Sequence, residues 1–193
     1  MKFLELYCSI EWKKKKQPFY WLRLNEASTQ KLLKNNAEKF VDADIRRQFD
    51  LDLTVKGTNV YDHGEKMAEI LALSTYYNDK GVGYFDNEWN LGYNICLDEF
   101  QLEKDQKRQG DVCYQFVNQM ENLVRSTKEK LRIFLIGNTL EEASDILTMF
   151  DFIPEQYGRY KIRKKKCIID YLPPSEKYKQ RRKGTVADLL TPE

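Results

Sequence analysis

Histidine is almost missing from this chain: its 193 residues hold one, His63, in the polar turn Asp62-His63-Gly64. A single histidine disfavours a histidine-based zinc centre and a Ser-His-Asp triad. Glycine and proline are scarce, and the nine glycines nowhere compose the G-x-x-x-x-G-K-[ST] phosphate loop. No apolar run approaches the roughly 18 residues a membrane helix needs. The start, Met1 to Leu6, already carries Glu5 and lacks a signal-peptide core. Four cysteines, Cys8, Cys96, Cys113 and Cys167, lie scattered in apolar patterns without metal-ligand spacing, and are expected to be reduced and buried. Neither sign of charge prevails: 32 basic against 30 acidic side chains leave +2, which excludes a polycationic nucleic-acid binder. What remains for chemistry is carboxylate, arginine, lysine and metal-bound phosphate. The 41% hydrophobic and 13% aromatic content excludes a disordered chain, and the length suits one domain or one domain with a tail.

Local pattern places the elements. Phe3, Leu6, Tyr7 and Ile10 recur at helical spacing over 2–14, and the helix runs into Lys13–Lys16, a favourable C-terminus. Phe19-Tyr20-Trp21-Leu22-Arg23-Leu24 follows a proline and reads as a buried strand. Asn25 can cap a helix over 26–35, with Ala27, Leu32 and Leu33 inward, and a second short helix is expected over 38–48. Leu53–Gly57 and Asn59–Asp62 predict a hairpin, and Met67–Leu73 reads as a strand with helix as the alternative. Residues 74–90 are rich in Tyr, Asn, Asp and Gly and predict a surface loop; its aromatics, Tyr76, Tyr77, Tyr84, Phe85 and Trp89, could stack on a base or pack as anchors. Tyr93–Glu99 is an apolar strand ending in two carboxylates. Val112, Cys113, Phe116, Val117, Met120, Leu123 and Val124 form a helical stripe. Leu131–Gly137 predicts the cleanest buried strand, with a short helix near 141–149. Tyr160–Ile162 and Cys167–Asp170 can pair across Arg163–Lys166. Strands alternating with helices over 1–150 predict an α/β fold with a mostly parallel sheet.

The segment Asn94-Ile95-Cys96-Leu97-Asp98-Glu99 has the form of a Walker B strand, and chemistry explains the form. A strand covered on both faces is apolar throughout. Its C-terminal end is where an open α/β sheet presents ligands. There an aspartate can hold magnesium, and the next glutamate can polarise the water that attacks a γ-phosphate. Strands that simply exit into solvent also end in acids. Arg23 ends the other apolar strand, where it can approach nucleotide or pair with an acid.

Taken in order, Phe19-Tyr20-Trp21-Leu22-Arg23, Val55-Lys56-Gly57, Ile95-Cys96-Leu97-Asp98-Glu99-Phe100, Ile133-Phe134-Leu135-Ile136-Gly137-Asn138 and Arg181-Arg182-Lys183 resemble the packaging ATPases of small tailed phages, the DNA encapsidation protein or terminase large-subunit class. The likeness covers most of the chain, and spacing carries it more than any single motif. It implies a P-loop NTPase-like, additional-strand sheet flanked by helices and incomplete at the N-terminus. It implies Asp98 as the magnesium residue, Glu99 as catalytic glutamate and Asn138 as γ-phosphate sensor. Arg125 falls near the arginine-finger position; Arg23, ending its strand, is the candidate nucleotide contact from its own position. By themselves Asn138 also suits a turn and Arg125 a helix C-terminus. ATP and Mg2+ are the implied cofactors. Double-stranded DNA, the portal and procapsid, and a homo-oligomeric ring are the implied partners, in the host-cell cytoplasm and without membrane. Lys164, Lys165 and Lys166 are candidate DNA contacts, although charge runs are also ordinary solvated turns.

In the family a Gly-rich loop and its strand precede the helix at 2–14. The expected boundaries are therefore an ATPase core at 1–172, starting after the P-loop, and a linker at 173–193. Without backbone N–H groups and a lysine for the β- and γ-phosphates, this chain alone is expected to bind ATP poorly. The strand leading to Asn138 should then keep an unpaired edge, or the sheet rearrange. The alternatives are another DNA-translocating additional-strand ATPase, a nonenzymatic DNA-binding remnant, and a metal-dependent nuclease, for which the sequence nominates no further acids.

Overall fold

A computed structural model describes residues 2–80, 93–101, 107, 110–124, 131–137, 144–153 and 155–186. The chain divides into two compact units, Met1–Leu140 and Glu141–Glu193. This division falls at 140/141; the expected boundary at 172/173 lies inside the second unit.

The first unit is built on a six-stranded sheet. In chain order its elements are α1 (Lys2–Lys15), β1 (Phe19–Arg23), α2 (Glu26–Ala37), α3 (Ala43–Gln48), β2 (Leu53–Lys56), β3 (Asn59–Asp62), β4 (Glu65–Ala72), a 3-10 segment (Leu73–Asp79), β5 (Asn94–Asp98), α4 (Val112–Val124) and β6 (Arg132–Ile136). The sheet order is β2-β3-β4-β1-β5-β6. Strands β4, β1, β5 and β6 run parallel, whereas β2 and β3 form an antiparallel margin. The mostly parallel α/β sheet and the 53–62 hairpin thus match the sequence reading, and Met67–Leu73 resolves in favour of strand. Parallel pairing requires a crossover, which α4 supplies between β5 and β6.

Every residue of β1 and β5 is buried, as continuous apolar strands in the middle of a sheet require. Trp21 lies edge-on to Phe40 with centroids 5.3 Å apart, and Phe19 lies 6.0 Å from the same ring. Such aromatic pairs add roughly 0.5–1.5 kcal/mol each beyond their buried area. Helix α2 starts where Asn25 Oδ1 accepts the Ser28 N–H at 2.9 Å. Its helical geometry stops before Asn35 and Asn36, both left-handed.

Four expectations shift. Helix α1 buries Leu4, Glu5, Cys8, Ser9 and Trp12, not the stripe through Phe3, which stays exposed. The inner face is chosen by partners far away in sequence. Trp12 Nε1 donates to Asp62 Oδ2 at 2.8 Å, and Cys8 Sγ lies 3.6 Å from Cys96 Sγ. Ala27 is exposed; Thr29 joins Leu32 and Leu33 inside. Among the described residues strand β6 is the sheet's margin rather than its best-buried strand: it pairs with β5 on one side and leaves Ile133 exposed. This agrees with the expected open edge. Finally, the loop expected from residue 74 begins as a 3-10 segment packed on α4; Tyr84, Phe85 and Trp89 lie outside the described residues.

That packing changes the buried face of α4. Val117 is exposed, and Gln115, Gln119 and Asn122 turn inward beside Val112, Phe116 and Leu123. Gln119 Nε2 donates to Asp79 Oδ2 at 2.8 Å, and Asn122 Nδ2 to the Tyr76 carbonyl at 2.9 Å. Tyr76 also meets Tyr77 and Tyr114 edge-on, so these rings pack on one another. Burial pushes the Asp79 carboxyl up to about 6, the Glu69 charge adding to the rise and the Gln119 amide opposing it.

In the second unit, α5 (Asp145–Met149) precedes an antiparallel ribbon of β7 (Gly158–Ile162) and β8 (Cys167–Tyr171), closed by the 3-10 turn Arg163–Lys165 and followed by α6 (Glu176–Arg182). The ribbon and its turn stand where the sequence places them.

Asp79 allows a stability prediction with a definite sign. Below pH ~4 the carboxyl is protonated folded or unfolded, and contributes no difference. As pH rises through about 6 the folded state must hold a desolvated carboxylate. Asp79→Asn should therefore exceed the parent in stability by roughly 3 kcal/mol above pH 7, at about 1.4 kcal/mol per pH unit of displacement, with the gap closing towards pH 4. Urea unfolding across that range measures it; a gap independent of pH would refute the assignment.

Candidate nucleotide and carboxylate site

Parallel neighbours β1 and β5 are in register with Leu22 opposite Leu97. One step further each strand ends in a charged residue, so Arg23 and Asp98 emerge side by side at the C-terminal edge of the sheet. This is the edge at which open α/β sheets hold ligands. Asp98 is 1% exposed and Arg23 7% exposed, with Arg23 Nη2 2.7 Å from Asp98 Oδ2. The other arm of the guanidinium, Nη1, donates to Glu99 Oε2. One arginine thus bridges the two consecutive acids.

The acids differ in environment because the backbone turns between them. Glu99 sits at φ 55, in the left-handed region, which ends the strand and swings its half-exposed carboxylate outward. Phe100 then donates its N–H to the Ile136 carbonyl at 3.3 Å and lays its ring over Gly137. A Cβ on Gly137 would lie 2.9 Å from Phe100 Cε1, so glycine there lets the corner close onto β6. Burial raises the Asp98 pKa above the usual aspartate value; the Arg23 charge opposes the rise and Glu99 adds to it.

Glu5 is a neighbour the sequence reading missed. It projects from the inner face of α1, where its Oε2 accepts the Asp42 N–H at 2.9 Å. Burial raises its pKa, the Asp42 N–H opposes this, and the Asp98 charge contributes to the rise. Once α1 is turned by one residue, an acid inside an otherwise apolar face is the signal that marks it. Beneath the site the Cys8 and Cys96 thiols touch; their mutual hydrogen bond and burial push the Cys96 pKa well up, so it remains a thiol. Cys8 and Cys96 are buried as expected; Cys113 and Cys167 are only partly covered, and none of the four forms a disulfide.

Of the sequence-predicted site residues, Arg23, Asp98 and Glu99 come together. Asn138 and Arg125 lie outside the described residues. Lys164, Lys165 and Lys166 stand at the ribbon turn of the second unit. His63 is a turn residue, with Nδ1 2.8 Å from Asp62 Oδ1. Among the described residues no group of three or more metal-ligating side chains forms a cage. Magnesium does not require one: it keeps several waters and takes one or two carboxylates with substrate phosphates, a donor set that Asp98 and Glu99 fit. No helix among the described residues is long and apolar enough to cross a membrane.

The first unit is thus a mixed α/β fold whose mostly parallel central sheet is flanked by helices. Residues 5–191 match the Podovirus DNA encapsidation protein (Gp16) family, and the chain belongs to it. Among solved structures it is similar to the N-terminal domain of the DNA packaging ATPase from bacteriophage phi29, with 21% identity over 92% of this chain and 85% of that one, and a TM-score of 0.68. The bacteriophage Phi-29 viral genome packaging motor assembly gives 21% identity over 96% of this chain and a TM-score of 0.70. The Phi-28 gp11 DNA packaging motor gives 12% identity over 90% and a TM-score of 0.59. The chain spans 54% and 53% of those last two chains. No curated protein matches the sequence.

Removing the shared arginine should expose how the site is held. Arg23→Ala leaves the buried Asp98 carboxylate without its cation, a change that costs about 3–5 kcal/mol at pH 7. Asp98→Asn in the same chain should recover most of that loss, and the double-mutant cycle from urea unfolding should show strong coupling. Additive effects would mean that the pair is not held as described.

Proposed function

We propose that this chain is the ATPase domain of a viral DNA-packaging motor and that its strand-end acids form the hydrolytic centre. One observation supports this above others: a buried aspartate and an outward-turned glutamate, consecutive in sequence, at the C-terminal edge of parallel neighbours β1 and β5. Asp98, shielded from solvent, would hold Mg2+ with water and nucleotide oxygens completing its shell. Bound Mg2+ supplies charge neutralisation for the phosphates of ATP.

Glu99 faces outward on a backbone corner, so its carboxylate can accept a proton from an entering water as that oxygen bonds to the γ-phosphorus and the bond to ADP breaks. Arg23 positions both acids. Its bridge holds Glu99 against Asp98 and must loosen for the glutamate to meet water. Asn138 as γ-phosphate sensor and Arg125 as a finger reaching a neighbouring subunit complete the reading. Double-stranded DNA is the cargo, a ring of copies on the portal of a procapsid the assembly, and the host cytoplasm the place.

The sequence contains no G-x-x-x-x-G-K-[ST]. These residues therefore supply no Walker-type backbone cradle or lysine for the β- and γ-phosphates. Phosphate release should be slight for this polypeptide alone and rise when a P-loop segment is supplied. Glu99→Gln should cut the restored turnover by about 100-fold or more while sparing nucleotide binding. Robust turnover by the 193 residues alone would overturn the need for an external loop. DNA packaging left intact by Glu99→Gln and by Asp98→Ala would favour a nonenzymatic packaging subunit.

A further inference from the structure

The ribbon of the second unit concentrates positive charge. From Gly158 to Tyr171 it carries Arg159, Lys161, Arg163, Lys164, Lys165 and Lys166 against one acid, Asp170, in a chain whose formal net charge is only +2. Strand pairing sorts these residues by face. Tyr160 opposite Ile169 and Ile162 opposite Cys167 make the half-buried side, and the Phe152 ring lies 4.9 Å from Tyr160. Arg159 opposite Asp170 and Lys161 opposite Ile168 make the exposed side.

On that side Arg159 and Asp170 neutralise each other through a two-pronged bond, at 2.6 and 2.9 Å. Among the described residues no acid pairs with Lys161, which stands on that face beside the turn. In the turn four successive cations are all exposed, and Lys166 takes the left-handed conformation, φ 49, which side chains other than glycine and asparagine adopt at a cost. Among the described residues the acid that approaches the turn is Asp151, 3.9 Å from Lys165 and itself exposed. Four like charges on one turn repel, and the fold supplies little to offset them.

We propose that this ribbon is a contact surface for the phosphate backbone of duplex DNA, with Lys161 and the Arg163–Lys166 turn as its cations. The proposal rests on the packaging reading above and gives the DNA a place on the chain. A packaging subunit must hold any sequence, and phosphate contacts carry no sequence information. An exposed tip of cations suits that need, since neutralising phosphates releases counterions and supplies sequence-independent affinity.

The test is fluorescence anisotropy of labelled duplexes of two unrelated sequences, titrated with the full chain over a range of salt concentrations. Arg163→Gln, Lys164→Gln, Lys165→Gln and Lys166→Gln are combined in one variant, and Lys161→Gln is made singly. Lys14→Gln with Lys15→Gln, at exposed positions on the end of α1, is the control. The turn variant should bind both duplexes at least about tenfold more weakly and flatten the slope of log Kd against log salt by up to about 3.6, near 0.9 for each of four phosphates no longer neutralised. Lys161→Gln should flatten it by about 1, and the control should keep parental affinity. An unchanged slope in the turn variant overturns the proposal, as does an equal loss in the control or a parent that binds no duplex. Thermal melting of each variant shows that the fold persists. Failure here leaves the Glu99 dependence of ATP turnover untouched, whereas failure of the ATPase reading leaves the salt slope intact, so the two are separable.

Discussion

The first unit is organised around one charge arrangement: a nearly buried arginine at the end of β1 that bridges two successive acids at the end of β5. Placing Asp98 and Arg23 out of water is costly, and their attraction repays the cost only when both are held in place. Five fully buried residues in each of β1 and β5, aligned in parallel register, provide that hold. The pair therefore depends on the sheet, and with the acids fixed at its edge the backbone can turn at Glu99 and present a second carboxylate to solvent. Much of the rest of the unit supports this junction.

Support comes from two sides. On one, Phe19, Trp21 and Phe40 fill the space between β1 and the segment joining α2 to α3. On the same unit, Asp62 ends β3 nearly without exposure and receives bonds from Trp12, Lys13, His63 and the Asp52 N–H. Burial acts to raise its pKa, but the donors Trp12, Lys13 and His63 outweigh burial and hold it below the ordinary aspartate value. Asp62 thus ties the antiparallel margin to α1, and α1 in turn covers β5 through the contact of Cys8 with Cys96. At the other margin, α4 and the 3-10 segment lock through Asp79, Gln119 and Asn122, a polar seam in which every named side chain has a partner.

The legible part of the fold lay in strong local signals. Apolar runs of about strand length marked β1 and β5, Asn25 marked a helix start, and Lys56-Gly57 marked a turn. The carboxylates at 98 and 99 were legible because a charged pair ending a five-residue apolar run is chemically conspicuous. What was illegible depended on partners distant in sequence. Helix α1 offers two credible inner faces, and the choice falls to Trp12 and Cys8 meeting residues 50 and 88 positions away. For α4 the apolar stripe misled: a polar face can turn inward when Asp79 and a backbone carbonyl are there to receive it. The richly apolar β6 looked central, yet sheet order puts it at the margin.

The amino-acid sequence by itself determined which segments become strands and where the sheet's acids stand, because each follows from residue type and short spacing. Only the tertiary structure decided that Arg23 belongs to both Asp98 and Glu99, that Glu5 lies within their electrostatic reach, and that the two acids face different environments. These depend on register between strands 75 residues apart and on a left-handed backbone turn at Glu99. No local pattern encodes either, since both arise from how the whole sheet packs.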